Sequence, residues 1–203
     1  MIGIVSYGLG NVRAIVAAYA SVGVEASPAR SPDELMRASK LVLPGVGSFD
    51  HALARLEELG FVEPLRRRVE HDGVPILGIC LGMQLFAPSS DEGTRPGLGW
   101  IDGRVRSLES VGNEQRLAVP HMGWNHVRSV TRDGLFEGLG ESRFYFLHSF
   151  YMECSRVSDV HAEVSYGPTF TCAVKRDNIY GVQFHPEKSH GFGVKLLNNF
   201  ARS

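Results

Sequence analysis

The chain has 203 residues, of which 43% are hydrophobic and 21% are charged, and its formal net charge is −1. These values are typical of a globular protein whose core needs no disulfide or structural metal, and they argue against a disordered chain. The balanced charge excludes a broad electrostatic footprint for nucleic acid or for an acidic membrane surface. Three cysteines without paired spacing are typical of a reducing cytosol, so we expect a cytoplasmic protein.

The chain has no targeting or membrane pattern. No basic segment precedes the first apolar residues, and no apolar run reaches the length of a membrane-spanning helix. No stretch has the composition of a linker, so we expect residues 1–203 to form one domain.

The first half of the chain alternates strand patterns with helical patterns. The predicted strands are 2–5, 24–26, 41–43 and 75–79. The predicted helices are 12–22 after Asn11, 32–39 after the capping residue Ser31, 50–59, 61–70, and one that begins at about Gly82. Strands and helices in this order predict right-handed βαβ units, in which helices cover both faces of a parallel sheet.

The second half contains strands joined by turns. The predicted strands are 100–106, 144–148, 162–166, 169–175 and 179–184, and a final helix is predicted over 192–202. The whole pattern predicts an α/β fold with a mixed, mostly parallel central sheet and helices on both faces.

Two Gly-x-Gly turns follow predicted strands, Gly8-Leu9-Gly10 and Gly45-Val46-Gly47. Both lack the third glycine of a dinucleotide-binding fingerprint, because Arg13 and Asp50 stand in its place. No Gly-Lys dipeptide occurs, which excludes a P-loop. The sequence therefore does not favour a nucleotide site.

The segment around Cys80 has the pattern of a nucleophile turn. Gly78 and Gly82 flank it at the spacing of the G-x-S-x-G elbow, with cysteine in place of serine. A nucleophile between a strand and a helix has a strained backbone and needs neighbours without a Cβ atom, and the start of the helix favours a thiolate. The alternative is a buried cysteine that acts as a small apolar residue.

A base and an orienting carboxylate occur at the end of the last predicted strand, where His185 and Glu187 are two residues apart. A thiol nucleophile needs a base that accepts its proton, and the base needs a partner that fixes its tautomer. A surface turn broken by Pro186 is one alternative. A metal site is the other, but His190 is the only further ligand nearby.

Acyl-transfer chemistry also needs donors for an oxyanion. In elbow hydrolases one donor is the N–H after the nucleophile, here Leu81, and the other comes from a second strand-to-helix loop. The segment Gly45, Val46 and Gly47 follows the preceding strand and can expose such amides. The alternative is a plain tight turn.

The motifs PGVGSFD, LGICLGMQLF, PHMGWN, YFLHSF and GVQFHPEKS occur in this order between residues 44 and 189. In this arrangement the chain resembles the class I (triad) glutamine amidotransferases, which have a flavodoxin-like α/β fold. Within that class it resembles the branch of glutaminase subunits of imidazole glycerol phosphate synthase.

The resemblance implies a role for each site residue. Cys80 would attack the side-chain amide of L-glutamine, His185 would carry the proton to departing ammonia, and Glu187 would orient His185. The oxyanion hole would be formed by Leu81, Gly45, Val46 and Gly47. The residues that would bind glutamine are Gln84, His148, Ser149 and Phe150. No cofactor and no metal is implied.

The resemblance also implies a heterodimer with a (β/α)8 cyclase subunit. That partner would use the ammonia to form imidazole glycerol phosphate and aminoimidazole carboxamide ribotide in L-histidine biosynthesis. Ser6 departs from the aspartate that many members carry, in a turn expected near the partner.

Three alternatives stay open at the level of sequence. One is a paralogous amidotransferase that supplies ammonia for amidine formation on a cell-surface sugar. A second is a cysteine hydrolase of esters or lactones. The third is a binding or regulatory subunit without chemistry, against which the intact Cys80, His185 and Glu187 argue.

Overall fold

The computed structural model describes residues 1–111, 117–131 and 134–203. Its strands are β1 Ile2–Val5, β2 Ala26–Ala29, β3 Lys40–Gly45, β4 Ile76–Cys80, β5 Gly103–Ser107, β6 His121–Ser129, β7 Ser142–His148, β8 Phe150–Cys154, β9 Val160–Ser165, β10 Thr169–Arg176 and β11 Ile179–Val182. Its α-helices are α1 Val12–Ala20, α2 Pro32–Met36, α3 Phe49–Glu58, α4 Val62–Arg66, α5 Leu81–Gln84, α6 Leu108–Val111 and α7 His190–Arg202.

These strands form one mixed sheet with the order β2-β1-β3-β4-β11-β10-β9-β6-β7, and β8 pairs with both β10 and β5. The pairs from β2 through β1, β3 and β4 to β11 are parallel. From β11 onwards the pairs are antiparallel. The predicted α/β fold with a mixed sheet is confirmed, with the parallel strands drawn mainly from the first half of the chain.

The hydrophobic core lies on both faces of this sheet. Successive residues of β3 pack into different clusters: Leu41 and Leu43 join one cluster, and Val42 joins the other. Helices α3 and α4 pack into the first cluster through Leu53 and Leu65. Helices α1 and α7 pack into the second, to which they contribute Ile15, Tyr19, Leu196, Leu197 and Phe200. Strand side chains alternate between the two faces of the sheet, so both faces are apolar. Helices cover both of them, as predicted.

Several boundaries differ from the predicted ones. The predicted strand 24–26 was placed too early: Gly23 has a positive φ of 71°, and the N–H of Val24 donates to the Tyr19 carbonyl to close α1. Val24 therefore belongs to the C-terminal cap of α1, and strand β2 begins only at Ala26. The helix after Cys80 spans only Leu81–Gln84, so the expected helix dipole comes from little more than one turn.

Two strands of the second half, β6 and β8, were not predicted. Strand β6 was recognised only as the PHMGWN motif, because its burial alternates without a continuous apolar run. No helix in the described ranges is long and apolar enough to cross a membrane.

Candidate active site

Cys80 ends β4 at the point where the chain turns directly into α5. Its φ of 55° and ψ of −113° are unusual for a residue with a side chain. Such a conformation costs of order 1–3 kcal/mol and persists only where the surrounding structure enforces it. The side chain is buried but borders a cavity, so its sulfur can meet a ligand.

The two glycines beside Cys80 leave no room for side chains. A Cβ at Gly82 would lie 1.8 Å from the carbonyl oxygen of Leu43, and a Cβ at Gly78 would lie 2.7 Å from the backbone nitrogen of Met83. The turn can therefore pack against β3 and α5 only because neither position has a side chain. This arrangement agrees with the elbow predicted from the sequence.

His185 reaches the same place from the neighbouring strand. Strand β11 runs parallel to β4, with Val182 opposite Ile79, so the residues after both strands meet at one edge of the sheet. The backbone N–H of His185 donates to the Tyr145 carbonyl at 2.9 Å, which holds its main chain. The structure thus brings Cys80 and His185 together across about one hundred residues of sequence.

Glu187 and His185 form a buried pair. Nδ1 of His185 lies 2.9 Å from Oε1 of Glu187, and both side chains are almost fully buried. Burial by itself lowers the pKa of His185, but hydrogen bonds with Cys80 and Glu187 and the charges of both groups raise that pKa to about 10. Because Nδ1 is held by Glu187, Nε2 is the nitrogen left for Cys80. His185 can therefore hold a proton next to the Cys80 sulfur.

The predicted oxyanion residues lie next to the nucleophile. Gly45 is directly opposite Cys80 in the parallel register of β3 and β4. The following Val46 and Gly47 border the cavity, and so does Leu81, the first residue of α5. The N–H groups at the start of a helix have no partner within it, so the Leu81 amide is suited to donate to a ligand.

One cavity of about 320 Å³ joins most of the predicted site residues. The predicted residues that line it are Val46, Gly47, Cys80, Leu81, Gln84, His148, Ser149, Phe150 and His185. Gly45 and Glu187 do not line the cavity. Gly45 pairs with Cys80 in the sheet, and Glu187 is hydrogen-bonded to His185. The residues that line it without having been predicted are Glu92, Pro120, Leu147 and Lys188.

Two of the predicted glutamine-binding side chains are already hydrogen-bonded within the protein. Nε2 of Gln84 donates to the Phe150 carbonyl at 2.9 Å and to Oε1 of Gln183 at 3.0 Å. Nδ1 of His148 lies 2.8 Å from the Phe150 carbonyl, and its Nε2 lies 3.0 Å from Nδ1 of His121. Both residues form the wall of the cavity, but only the Gln84 carbonyl oxygen remains for a ligand.

Glu92 was missed because no motif surrounds it. Its Oε2 accepts the backbone N–H of Phe49 at 2.9 Å, which ties its loop to the start of α3. Burial raises the pKa of this half-buried carboxyl, although the hydrogen bond from Phe49 opposes that effect. No role was predicted from the sequence for Lys188, Pro120 and Leu147. All three lie within the motifs that carry the family resemblance, and that position is the signal by which they could have been found.

Comparisons with known proteins identify the family. The model of the class-I glutamine amidotransferase family matches residues 4–203. The imidazole glycerol phosphate synthase subunit HisH of Bdellovibrio bacteriovorus is 54% identical over 99% of both chains, and that of Leptospira interrogans is 47% identical over 99% of both.

A solved structure described as a glutamine amidotransferase has the same fold. It superposes with a TM-score of 0.73 at 20% identity, and the alignment covers 97% of this chain and 98% of the other. The chain therefore belongs to the class-I glutamine amidotransferase family, in the branch of the imidazole glycerol phosphate synthase HisH subunits.

Proposed function

We propose that this chain hydrolyses L-glutamine to L-glutamate and ammonia as the glutaminase subunit of an imidazole glycerol phosphate synthase. The observation that carries the proposal is the cavity in which Cys80 meets His185, with Glu187 bonded to the far side of the imidazole. The HisH relatives, aligned over nearly their whole length, support the same activity.

The reaction runs through a thioester. The Cys80 sulfur attacks the side-chain amide carbon of glutamine while its proton resides on Nε2 of His185. Collapse of the tetrahedral intermediate breaks the C–N bond, and His185 gives the proton to the leaving nitrogen, which departs as ammonia. A water molecule then attacks the thioester with His185 as base, releasing glutamate and restoring the thiol. In the free enzyme, the raised pKa of His185 favours its holding the proton taken from Cys80.

Backbone amides would stabilise the oxyanion. The proposed donors are the Leu81 N–H and an amide of the segment 45–47. The pairing of Gly45 with Cys80, and the position of the next two residues at the cavity, support this proposal. The Tyr7 hydroxyl donates to the Pro44 carbonyl at 2.9 Å and so anchors the residue just before this segment.

The other end of glutamine needs a partner for each charge. Glu92 is an acidic side chain at the cavity and would pair with the α-ammonium group. The α-carboxylate would bind at Ser149 and Phe150, where the chain bends between β7 and β8. Gln84 and His148 would shape this pocket, because their donors are bonded within the protein.

A (β/α)8 cyclase subunit would dock on the face around the cavity mouth. Met122 of β6 lies opposite Leu147 of β7, and their side chains are 65% and 37% exposed. Trp124, two residues from Met122 on β6, is 42% exposed, and Val46, which borders the cavity with Leu147, is 45% exposed. Large exposed apolar groups in one place are typical of a protein interface. A partner seated there would receive ammonia directly and complete the lyase reaction, forming imidazole glycerol phosphate and aminoimidazole carboxamide ribotide in L-histidine biosynthesis.

The two enzymatic alternatives are not favoured. The relatives are named for imidazole glycerol phosphate synthase, and neither their names nor the family model points to a surface-sugar pathway or to ester hydrolysis. Ser6, the position that departs from the common aspartate, follows β1 and donates its N–H to the Ala29 carbonyl. Nothing in this contact favours another pathway.

We further propose that residues 1–203 form one domain located in the cytoplasm. The single sheet that connects the described strands supports one domain, as does a family model that spans residues 4–203. Cys80, Cys154 and Cys172 are all free, which agrees with a reducing compartment.

The test is glutamate release from L-glutamine by the purified chain, alone and with a histidine-pathway cyclase subunit and its phosphoribosyl ligand. We expect weak release by the chain alone and clear stimulation by the complex. Cys80→Ala in the same complex should lose at least about 100-fold of the rate. Release that ignores the cyclase would contradict the assigned pathway, and full activity of Cys80→Ala would contradict the thioester.

A further inference from the structure

The Cys80 sulfur has a neighbour that the triad does not include. Nε2 of Gln183 lies 3.6 Å from Sγ of Cys80, within hydrogen-bonding distance for sulfur, and Gln183 is fully buried. Its backbone N–H donates to the Cys172 carbonyl at 2.8 Å, so the residue is fixed at the end of β11. The direction of its side-chain amide decides whether the sulfur meets a donor or an acceptor.

A backbone carbonyl settles that direction. The oxygen of Phe150 can only accept, so the atom of Gln84 that lies 2.9 Å from it must be the nitrogen. The second N–H of Gln84 then points to Gln183, whose nearest atom, at 3.0 Å, must be the oxygen Oε1. Gln183 therefore presents its N–H group to Cys80.

His148 contacts the same carbonyl, and His121 in turn contacts His148. Nδ1 of His148, 2.8 Å from the Phe150 oxygen, must donate to it, which leaves Nε2 as an acceptor. Nδ1 of His121 donates to that Nε2 at 3.0 Å, and Nε2 of His121 faces Nδ2 of Asn125 at 3.4 Å. The His121 ring stacks on Phe146 and on Tyr166, which fixes its orientation.

Burial keeps both histidines neutral, as this arrangement requires. It lowers the pKa of His121 to about 4 and that of His148 to about 3. The hydrogen bond to Phe150 favours the charged form of His148 but is outweighed by burial. At neutral pH each ring therefore has one donor and one acceptor nitrogen. The donor and the acceptor of every hydrogen bond in this network are thereby determined.

We propose that Gln183 is a positioning residue that donates a hydrogen bond to the Cys80 sulfur, and that Gln84, the Phe150 carbonyl, His148 and His121 hold its amide in the donating direction. The importance of this hydrogen bond for catalysis rests on the proposed glutaminase function. A donor at this place stabilises the thiolate. The Leu147 carbonyl, 3.9 Å from the same sulfur, accepts the S–H of the thiol and favours the protonated form instead.

Other groups also act on the charge of Cys80. Those that face it from the surrounding elements are Tyr7, Glu92, His148, His185 with Glu187, and Lys188. A test must therefore change Gln183 alone and leave these groups in place.

The experiment measures the rate at which iodoacetamide alkylates Cys80 between pH 5.5 and 9 in the full chain, without glutamine. Burial raises the pKa of Cys154 to about 12 and that of Cys172 above its usual range, so both react slowly here. Cys80→Ala supplies the blank. The variants are Gln183→Leu, which removes the donor, and Gln183→Glu, which replaces the amide with a carboxyl group.

We expect Gln183→Leu to slow the alkylation of Cys80 at pH 7 about tenfold, and Gln183→Glu to slow it as well. Asn199→Asp is the matched control, because Asn199 is a buried amide that donates to the Leu135 and Glu137 carbonyls on α7's side of the core. It should destabilise the fold and leave the pH profile unchanged. A wild-type profile in both folded Gln183 variants would overturn the assignment.

A second measurement on the wild-type chain covers the case in which the Gln183 variants do not fold. The side-chain amide signal of Gln183 in a ¹⁵N–¹H spectrum should shift with the same midpoint as the alkylation of Cys80. A signal that ignores this titration would overturn the assignment. Neither measurement needs glutamine turnover, so a failure of the proposed glutaminase function would be seen separately.

Discussion

Gly82 and Leu43 are in contact so close that no side chain fits between them. A Cβ at Gly82 would lie 1.8 Å from the Leu43 carbonyl oxygen and 2.8 Å from the carbonyl carbon. The contact joins the turn after the nucleophile to β3, the strand that leads into the segment 45–47. The nucleophile and the proposed oxyanion donors are therefore positioned by one packing contact between two backbones.

Gly82→Ala is expected to destabilise the protein by about 3 kcal/mol, because either the turn or β3 must move. Urea unfolding followed by circular dichroism measures the loss. Gly191→Ala is the matched control, because the added Cβ there meets no atom within 4 Å outside its own helix and chain neighbours. Its free energy of unfolding should stay unchanged or rise by up to about 1 kcal/mol, since alanine favours a helix more than glycine does. Equal stabilities of the two variants would contradict this account of the turn.

Glu187→Ala is expected to reduce the rate of glutamate release less than Cys80→Ala does, by about 10–100-fold. Glu187 orients His185 and does not react, whereas Cys80 forms the covalent bond. The variant should also lower the pKa of His185, because the hydrogen bond and charge of Glu187 help to raise it. Single-turnover rates and a titration of the His185 ring signals measure both effects. A loss as large as that of Cys80→Ala would contradict the orienting role.

The buried pair His121 and His148 is expected to make the protein sensitive to acid. Both have a pKa in the folded state, about 4 and about 3, below the value of about 6.5 in an unfolded chain. The unfolded state therefore binds more protons below pH 6.5, and stability falls as the pH decreases from about 6.5 towards 4 and 3. Each histidine contributes a slope of up to about 1.4 kcal/mol per pH unit.

Urea unfolding of His148→Gln between pH 4 and pH 7 tests this expectation. The variant should be less stable at pH 7 and should lose stability more gradually towards acid. His51→Gln, which removes an exposed histidine, is the control and should retain the wild-type slope. An unchanged acid slope in His148→Gln would show that His148 does not produce this loss of stability.

His185 has the opposite sign: its raised pKa adds stability that is present below about pH 6.5 and is lost as the pH rises towards 10.

Met122→Lys is expected to weaken binding of the cyclase subunit about 10-fold or more, because a charge would be buried in an apolar interface. Glutamate release by the chain alone should stay unchanged, since Met122 does not line the cavity. Val157→Lys is the control, because Val157 is apolar and 85% exposed but lies in the short 3-10 helix Val157–Asp159 before β9, outside β6 and β7. Titration calorimetry with the cyclase measures both. Equal affinities would place the interface elsewhere.

The nucleophile and the base could be predicted from the sequence because each is marked locally. Cys80 is enclosed by glycines at the spacing that an elbow needs, and His185 follows a strand and precedes Pro186 and Glu187. The short apolar runs of β1, β3 and β4 are equally local, so most of the parallel part of the sheet could be predicted. Strand β2 was placed too early because the end of α1 uses Val24 for its cap.

Only the tertiary structure decided which distant groups meet. The parallel pairing of β4 with β11 places His185 beside Cys80, and the antiparallel pairing of β6 with β7 sets His121 opposite His148. Gln183 and Glu92 join the site through contacts that no spacing in their own segments marks. Local patterns depend on the few residues that share a turn or a strand, whereas the direction of a buried hydrogen bond depends on every donor and acceptor that packing brings around it.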